Sequence, residues 1–286
     1  MPELPEVESV RRGLARARLK TPVVKLWRSS FNLRTGKNWL RKHEGLEQLR
    51  GATPGPVRRR GKYILWHMQG ADEGELVLLI HLGMSGRCGV ARADQPIVDH
   101  THFIATFADD RQLRFVDPRR FGGLKVGTRE TIYEREPVAA LGPEPLSEDF
   151  DGAVLEAALG KSKRALRDAL LDQRAVAGIG NIYAVEACFE ARLNPLRPAA
   201  SLSRRSWSKL ADALVLVLER GVRNGGTTLK DFRNVVGEVG RNQDDLRVYG
   251  RGGEPCPRCG RRLADFVSQN RSGVMCTRCQ PKFRAR

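Results

Sequence analysis

Val7, Val10, Leu14 and Ala17 recur at the spacing of one helical face, and Arg11, Arg12, Arg16 and Arg18 fill positions between them. The pattern predicts an amphipathic helix over about residues 5–19 with a basic outer face. The period then changes. Tyr63 to Met68, Glu75 to His81, His102 to Ala108 and Gln112 to Val116 are short apolar or alternating runs that predict strands, the last two joined at Asp109-Asp110 as a hairpin. The first half of the chain is therefore expected to be mostly β, a sandwich or flattened barrel. Pro137 to Pro145 contains three prolines and Gly142, which predicts a linker. Beyond it the pattern turns helical. Leu155, Ala158, Leu159, Leu166, Ala169 and Leu170 make one stripe, and Trp207, Leu210, Ala211, Leu214 and Leu218 another, with Ser203 as N-cap. No internal repeat or long low-complexity tract interrupts these elements.

Cysteine spacing adds a third kind of module. Cys256-Pro257-Arg258-Cys259 and Cys276-Thr277-Arg278-Cys279 have the separation of a four-cysteine zinc site, in which thiolates hold the metal tetrahedrally and replace a core that so small a module cannot build. Disulfides are the alternative, disfavoured if the protein stays inside the cell. Cys88 and Cys188 lie outside the pattern and read as buried small hydrophobes. Gln269 to Gly273, between the pairs, reads as a turn at a finger tip that presents Arg271; a merely solvated turn is the alternative.

Charge changes the picture from architecture to partner. The 286 residues hold 50 Lys+Arg against 33 Asp+Glu, a net charge of +17. Such an excess attracts polyanions without distinguishing DNA from RNA or a membrane surface. The longest apolar runs, such as Leu76 to Ile80 and Leu214 to Leu218, fall far short of the roughly 20 residues a membrane span needs. The arginines within Val7 to Lys20 also exclude a signal peptide there, so a cytoplasmic protein is expected.

Two short motifs suggest chemistry. In Met1-Pro2-Glu3-Leu4-Pro5-Glu6, loss of Met1 would leave the secondary amine of Pro2 free to attack a sugar aldehyde carbon and form an iminium, with Glu3 beside it to move protons. Simple helix capping by the prolines, with Glu6 and Glu8 favouring the dipole, is the competing explanation. Gly178-Ile179-Gly180-Asn181 places glycines before a helix start, where a phosphate can approach unpaired N–H groups and Asn181 adds a donor. Taken alone, the motif reads by default as an ordinary N-cap, and it lacks the third glycine of a dinucleotide fingerprint.

Taken together, Met1 to Glu8, His81-Leu82-Gly83-Met84-Ser85-Gly86, Asp117-Pro118-Arg119-Arg120-Phe121-Gly122, Gly178 to Tyr183, Gly225 to Phe232, Val248-Tyr249-Gly250-Arg251 and the cysteine pairs occur in the order seen in bacterial formamidopyrimidine-DNA glycosylases. The chain resembles that family over essentially its whole length. The resemblance implies a multidomain α+β fold: an N-terminal β-sandwich with an N-terminal helix (1–136), a linker (137–150), a helix-two-turns-helix domain (151–249) and a β-hairpin zinc finger (250–286). It implies a monomer acting on damaged double-stranded DNA held in the cleft between domains, with one structural Zn2+, no redox or nucleotide cofactor and no membrane partner. The implied activity is removal of oxidised purines (8-oxoguanine, formamidopyrimidines) followed by β,δ-elimination at the abasic site.

Position by position, Pro2 resembles the family's nucleophile, Glu3 its acid/base partner, Glu6 a supporting carboxylate and Lys62 the lysine assigned to β-elimination and phosphate binding. Arg271 resembles the finger arginine that binds phosphates and assists δ-elimination, and Asn181 the asparagine gripping the same backbone. Met84, Arg119 and Phe121 match the wedges that fill the hole left by an expelled base, although core packing is the alternative for Met84 and Phe121. Arg119 also suits the O2 and N3 acceptors of an orphaned cytosine. His100 and Lys163 stand where the family has further DNA contacts. One departure is Gly240-Arg241-Asn242-Gln243, where the family often has Gly-Tyr-Phe near the flipped base; Arg241 and Asn242 would have to fold over the base instead. A related oxidised-pyrimidine glycosylase and a catalytically silent DNA-binding zinc-finger protein are the competing functions.

Overall fold

The computed structural model describes residues 1–30, 45–227 and 240–282. The chain separates into two compact units, Met1–Ala140 with Asn224–Arg241, and Leu141–Arg223 with Asn242–Arg286.

The first unit begins with α1 (Leu4–Arg16), followed by β1 (Val23–Arg28), β2 (Thr53–Arg60), β3 (Tyr63–Gln69), β4 (Glu75–His81), β5 (Arg87–Arg92), β6 (Thr101–Phe107), β7 (Arg111–Val116), β8 (Gly123–Thr128) and the short α2 (Arg129–Tyr133). Two four-stranded sheets form, ordered β1-β6-β7-β5 and β2-β3-β4-β8, with antiparallel pairing throughout. Alternation along the central strands sends Ile64, Trp66 and Met68, Leu78 and Ile80, Phe103, Ala105 and Phe107, and Leu113 and Phe115 into one core cluster. Val7, Val10 and Leu14 of α1 join it, as their spacing predicts. Each large side chain so buried contributes about 1.5–3 kcal/mol of hydrophobic free energy. The helix ends earlier than expected, at Arg16. Ala17 caps it and Arg18, at φ +48°, turns the chain away.

The second unit contains α3 (Gly152–Leu159), α4 (Leu166–Leu170), α5 (Asn181–Glu190) and α6 (Arg204–Arg223), then the hairpin β9 (Ala264–Ser268) and β10 (Arg271–Met275). The stripe expected from Leu155 to Leu170 is two short helices, because α3 stops at Gly160 and the chain turns before α4. Ala158 is exposed rather than part of the face. On α6 the expected stripe Trp207, Leu210, Ala211, Leu214 and Leu218 is buried. Ser203 caps this helix, its Oγ accepting from Ser206 N–H at 3.3 Å. Val185 and Phe189 of α5 pack with Leu263, Phe266, Val274 and Met275 of the hairpin module, so the finger sits on the helix that Asn181 begins. Cys88 and Cys188 are buried, and burial pushes both thiols up to about 12. No helix among the described residues is long and apolar enough to cross a membrane.

Candidate functional site

In the first unit, Pro2 and Glu3 are buried directly behind an exposed Met1. Glu3 is the N-cap of α1 and closes a capping box with Glu6, donating its backbone N–H to Glu6 Oε2 at 2.8 Å. The second Glu6 oxygen accepts from the Thr227 backbone N–H at 2.6 Å. This contact reaches across 221 residues of sequence and anchors the start of the Gly225-Gly226-Thr227 motif beside the helix N-terminus. Gly226 is required there: its φ is +91°, and a Cβ would lie 2.9 Å from Glu6 Cγ. The capping explanation and the chemical one are thus compatible, because the cap immobilises Glu3 next to Pro2. Thr228 to Phe232 of the same motif lie outside the described residues.

Lys62 is buried in the turn joining β2 to β3, beside Gly61 at φ +55°. The turn is tied to α1 through Arg59, whose Nη1 donates to the Gly61 carbonyl at 3.2 Å and whose Nε donates to Glu8 Oε2 at 3.2 Å. Burial alone would raise the Glu8 carboxyl, but Arg11, Arg12 and Arg59 together outweigh it and hold the group below the usual carboxylate range. A depressed folded-state pKa stabilises above the unfolded value and is lost as pH falls through the folded one. Glu8→Gln should therefore lower stability at pH 7 by about 1 kcal/mol after solvent screening, and the gap to wild type should close below about pH 4. Thermal unfolding of both proteins across that range checks the sign.

Met84 and Phe121 are 40% and 38% exposed, so core packing is not their role. The loops carrying them are held together by Asp117 and Ser85, which are buried. Asp117 accepts from Ser85 Oγ at 2.5 Å and from Gly122 N–H at 2.7 Å, while Ser85 Oγ accepts from Arg119 N–H at 3.1 Å. Gly83 permits this approach, since a Cβ there would lie 2.3 Å from Gly122 N, and its φ is +62°. The exposed Arg119 guanidinium lies 5.1 Å from the centre of the Phe121 ring. Three candidate wedges therefore project from one braced pair of loops. Sequence reasoning left Ser85 and Asp117 unassigned; the only signal was a serine and an aspartate inside two motifs already singled out.

His100 is exposed at φ +63°, in the turn before β6. With Trp27, Ser29, Thr101, His102 and Arg120 it lines a cavity of about 470 Å³.

In the second unit the sulfurs of Cys256, Cys259, Cys276 and Cys279 all lie within 4.8 Å of one another. Cys256 and Cys279 are 3.9 Å apart and Cys259 and Cys276 3.5 Å. Tetrahedral zinc with bonds of about 2.3 Å needs sulfurs about 3.8 Å apart, so the four fit that ion. Backbone N–H groups of Arg258 and Cys279 point at Cys256 Sγ and Cys276 Sγ, at 3.5 and 3.4 Å, as suits thiolate acceptors. The cysteines are free rather than disulfide-bonded.

The hairpin turn is tighter than the sequence suggests. Gln269 and Asn270, at φ +45° and +57°, form it alone, and Arg271 is the first residue of β10, exposed. Asn181 is the first residue of α5, and Gly180 is the N-cap. The Asn181 amide is engaged within the unit through one hydrogen and its oxygen, with Nδ2 donating to the Ser272 carbonyl at 2.8 Å and Oδ1 accepting from Arg167 Nη1 at 3.3 Å, which leaves the second Nδ2 hydrogen outside these two contacts. The helix-start asparagine and the finger strand of Arg271 are thereby brought together. Glu186, further along α5, accepts the N–H groups of Arg247, Val248 and Tyr249 at 2.8–2.9 Å and fixes the segment leading into the finger.

Lys163 is exposed in the turn between α3 and α4. Asn242 is buried and donates to the Tyr183 hydroxyl at 3.3 Å, so it packs inward and does not cover a base; Arg241 is exposed.

These features define a two-unit protein with a buried, braced Pro2-Glu3 segment at the start of a β-sandwich unit and a zinc-held hairpin that displays an arginine. Comparison with known proteins narrows that class. Residues 1–124 match the formamidopyrimidine-DNA glycosylase N-terminal domain, residues 141–233 the H2TH domain of the same glycosylases, and residues 253–282 the zinc finger found in FPG and IleRS. The formamidopyrimidine-DNA glycosylase of Teredinibacter turnerae is 41% identical over 280 residues, covering 98% of this chain and 100% of that protein. The crystal structure of MutM (Fpg) from Thermus thermophilus aligns with TM-score 0.84 at 39% identity, over 99% of this chain and 100% of that one. Lactococcus lactis Fpg, solved with N7-benzyl-Fapy-dG containing DNA, aligns with TM-score 0.86 at 32% identity, over 98% and 100%. The chain belongs to the formamidopyrimidine-DNA glycosylase family.

Proposed function

We propose that this protein is a cytoplasmic base-excision repair glycosylase with AP lyase activity, removing oxidised purines from duplex DNA. The observation that carries the reading is the buried Pro2-Glu3 pair at the start of α1, immobilised by the Glu6 contacts to Glu3 and Thr227. Once Met1 is removed, the Pro2 amine attacks C1′ of the damaged nucleotide, and the glycosidic bond breaks as the base leaves with a proton. Glu3 moves protons between the amine and the sugar, giving one to O4′ as the C1′–O4′ ring bond breaks and the nitrogen lone pair forms the C1′=N bond. The resulting iminium acidifies the C2′ hydrogen; its removal expels the 3′ phosphate, and a second elimination expels the 5′ phosphate. Lys62 assists the first elimination and Arg271 the second, both also holding phosphates. Water then releases the sugar fragment and restores the amine. Cys256, Cys259, Cys276 and Cys279 hold a structural zinc that takes no part in these steps.

Met84, Arg119 and Phe121 fill the vacated stack on this reading, and Arg119 donates to cytosine O2 and N3. Adenine presents a donor beside its acceptor, so a lesion opposite adenine is cut more slowly. Arg119→Ala should erode the preference for cytosine by about 1–3 kcal/mol, the worth of one good arginine contact to a base. It should leave the salt slope of binding nearly unchanged, because that slope counts phosphates. Excision of 8-oxoguanine opposite cytosine and opposite adenine, at two salt concentrations, is the test. Full cytosine preference in the variant would remove Arg119 from this role, and no release of 8-oxoguanine by the wild type would remove the function.

A further inference from the structure

Arg167 is fully buried and Asp168 is 4% exposed, an unusual place for a charge pair on a helix of five residues. The guanidinium contacts three separate pieces of the second unit. Nη1 donates to Asn181 Oδ1 at 3.3 Å, and Nη2 donates to the carbonyls of Ser268 at 2.9 Å and Arg271 at 3.3 Å. Those two carbonyls bracket the turn at the finger tip and belong to paired residues of β9 and β10. Nε lies 3.1 Å from Asp168 Oδ1, close enough for ion pairing though not aligned for a hydrogen bond, and the other Asp168 oxygen accepts from Ser268 Oγ. The Phe266 ring closes the site with its centre 5.5 Å from the guanidinium carbon.

A buried ion pair seldom stabilises more than apolar packing of the same volume, so stability alone is a poor reason for this one. What a guanidinium does that an apolar side chain cannot is fix several acceptors in one plane. Here the acceptors are the amide oxygen of Asn181 and the backbone on both sides of the hairpin turn. Asn181 Nδ2 in turn donates to the Ser272 carbonyl, next to Arg271. The result is a closed ring of contacts joining the start of α5 to the tip of the finger.

We propose that Arg167, charge-balanced by Asp168, is a positioning residue that sets Asn181 and Arg271 in register for two phosphates of the DNA backbone. It touches no DNA itself, being wholly enclosed. The inference rests on the reading that Asn181 and Arg271 grip phosphates, so the experiment tests that separately. The full-length zinc-loaded protein is used with a duplex carrying a tetrahydrofuran abasic analogue, which offers no leaving base or aldehyde to the amine. The variant is Arg167→Met with Asp168→Asn, which removes both charges at once and leaves neither uncompensated.

The double variant should keep its zinc and its melting temperature, and bind the duplex at least ~10-fold more weakly in moderate salt. Its plot of log K against log salt should be shallower by up to about 0.9, because a cation that no longer neutralises its phosphate takes roughly that much from the slope, and of the two residues only Arg271 is charged. In an Asn181→Ala, Arg271→Ala background the same change should alter affinity less than ~3-fold, because coupled sites are non-additive. Loss of zinc or of a folded finger would show a purely structural role and overturn the proposal. An unchanged salt slope, or a full effect in the doubly substituted background, would overturn it as well. If Arg271→Ala leaves the slope intact and Asn181→Ala leaves the affinity intact, it is the phosphate-gripping reading that fails.

Discussion

Replacing Cys256 by serine, or stripping the metal with a chelator, is expected to unfold the finger and to weaken DNA binding by several orders of magnitude while the β-sandwich stays folded. The hairpin owns little apolar core. Phe266, Val274 and Met275 are buried mainly because the module is folded onto Val185 and Phe189 of α5. Structural zinc in modules of this size contributes about 10–16 kcal/mol of apparent binding free energy, and without it the folded finger is not the ground state. The loss propagates. Arg271, the Ser272 carbonyl that holds Asn181, and the carbonyls held by Arg167 all lie on the hairpin. Metal analysis of reduced protein should find one zinc per chain, and circular dichroism of the variant should retain the sheet signal. A metal-free preparation with undiminished DNA affinity would contradict the assignment.

The second large effect belongs to the amino terminus. Pro2→Gly keeps a free amine but makes it primary and unconstrained, and single-turnover excision is expected to fall at least ~10³-fold, about 4 kcal/mol in the barrier. Glu3→Gln should cost about 10²- to 10⁴-fold, the usual range for a lost proton-transfer group. The two variants differ in what they spare. Glu3→Gln retains the amine, so it should still react with a preformed abasic site better than with an intact lesion. Its side chain also keeps an oxygen for the capping box with Glu6, so the fold should be little affected. A Pro2→Gly enzyme with wild-type excision would remove the nucleophile from the scheme.

Some of this was legible in the sequence and some was not, for physical reasons visible in the sheets. The four strands whose apolar runs predicted them, β3, β4, β6 and β7, occupy the interior of the two sheets; the unanticipated β1, β2, β5 and β8 are the edges. Edge strands carry less apolar signal, and β2 reads Thr-Pro-Gly-Pro-Val-Arg-Arg-Arg, a composition that suggests a loop. The cysteine site was readable because its information is entirely local spacing. Partners of Glu6 and Asp117 were not, since a carboxylate gives no hint that it will meet the Thr227 backbone N–H or the Ser85 hydroxyl far away in the chain. Arg167 was missed because an arginine beside Leu166 and Ala169 looks like the solvated side of a helix. Asn242 failed in the opposite direction, being polar and buried on Tyr183.

The central claim is that the amine of Pro2 becomes covalently bound to DNA. Borohydride reduces an iminium to a stable amine, so protein incubated with an 8-oxoguanine duplex in its presence should accumulate a cross-linked species. Peptide mapping of that species should place the deoxyribose remnant on the N-terminal proline of the chain lacking Met1. Protein that retains Met1 should not cross-link through Pro2. A remnant found on Lys62 or another lysine, or equal trapping by protein with Met1 in place, would contradict the account.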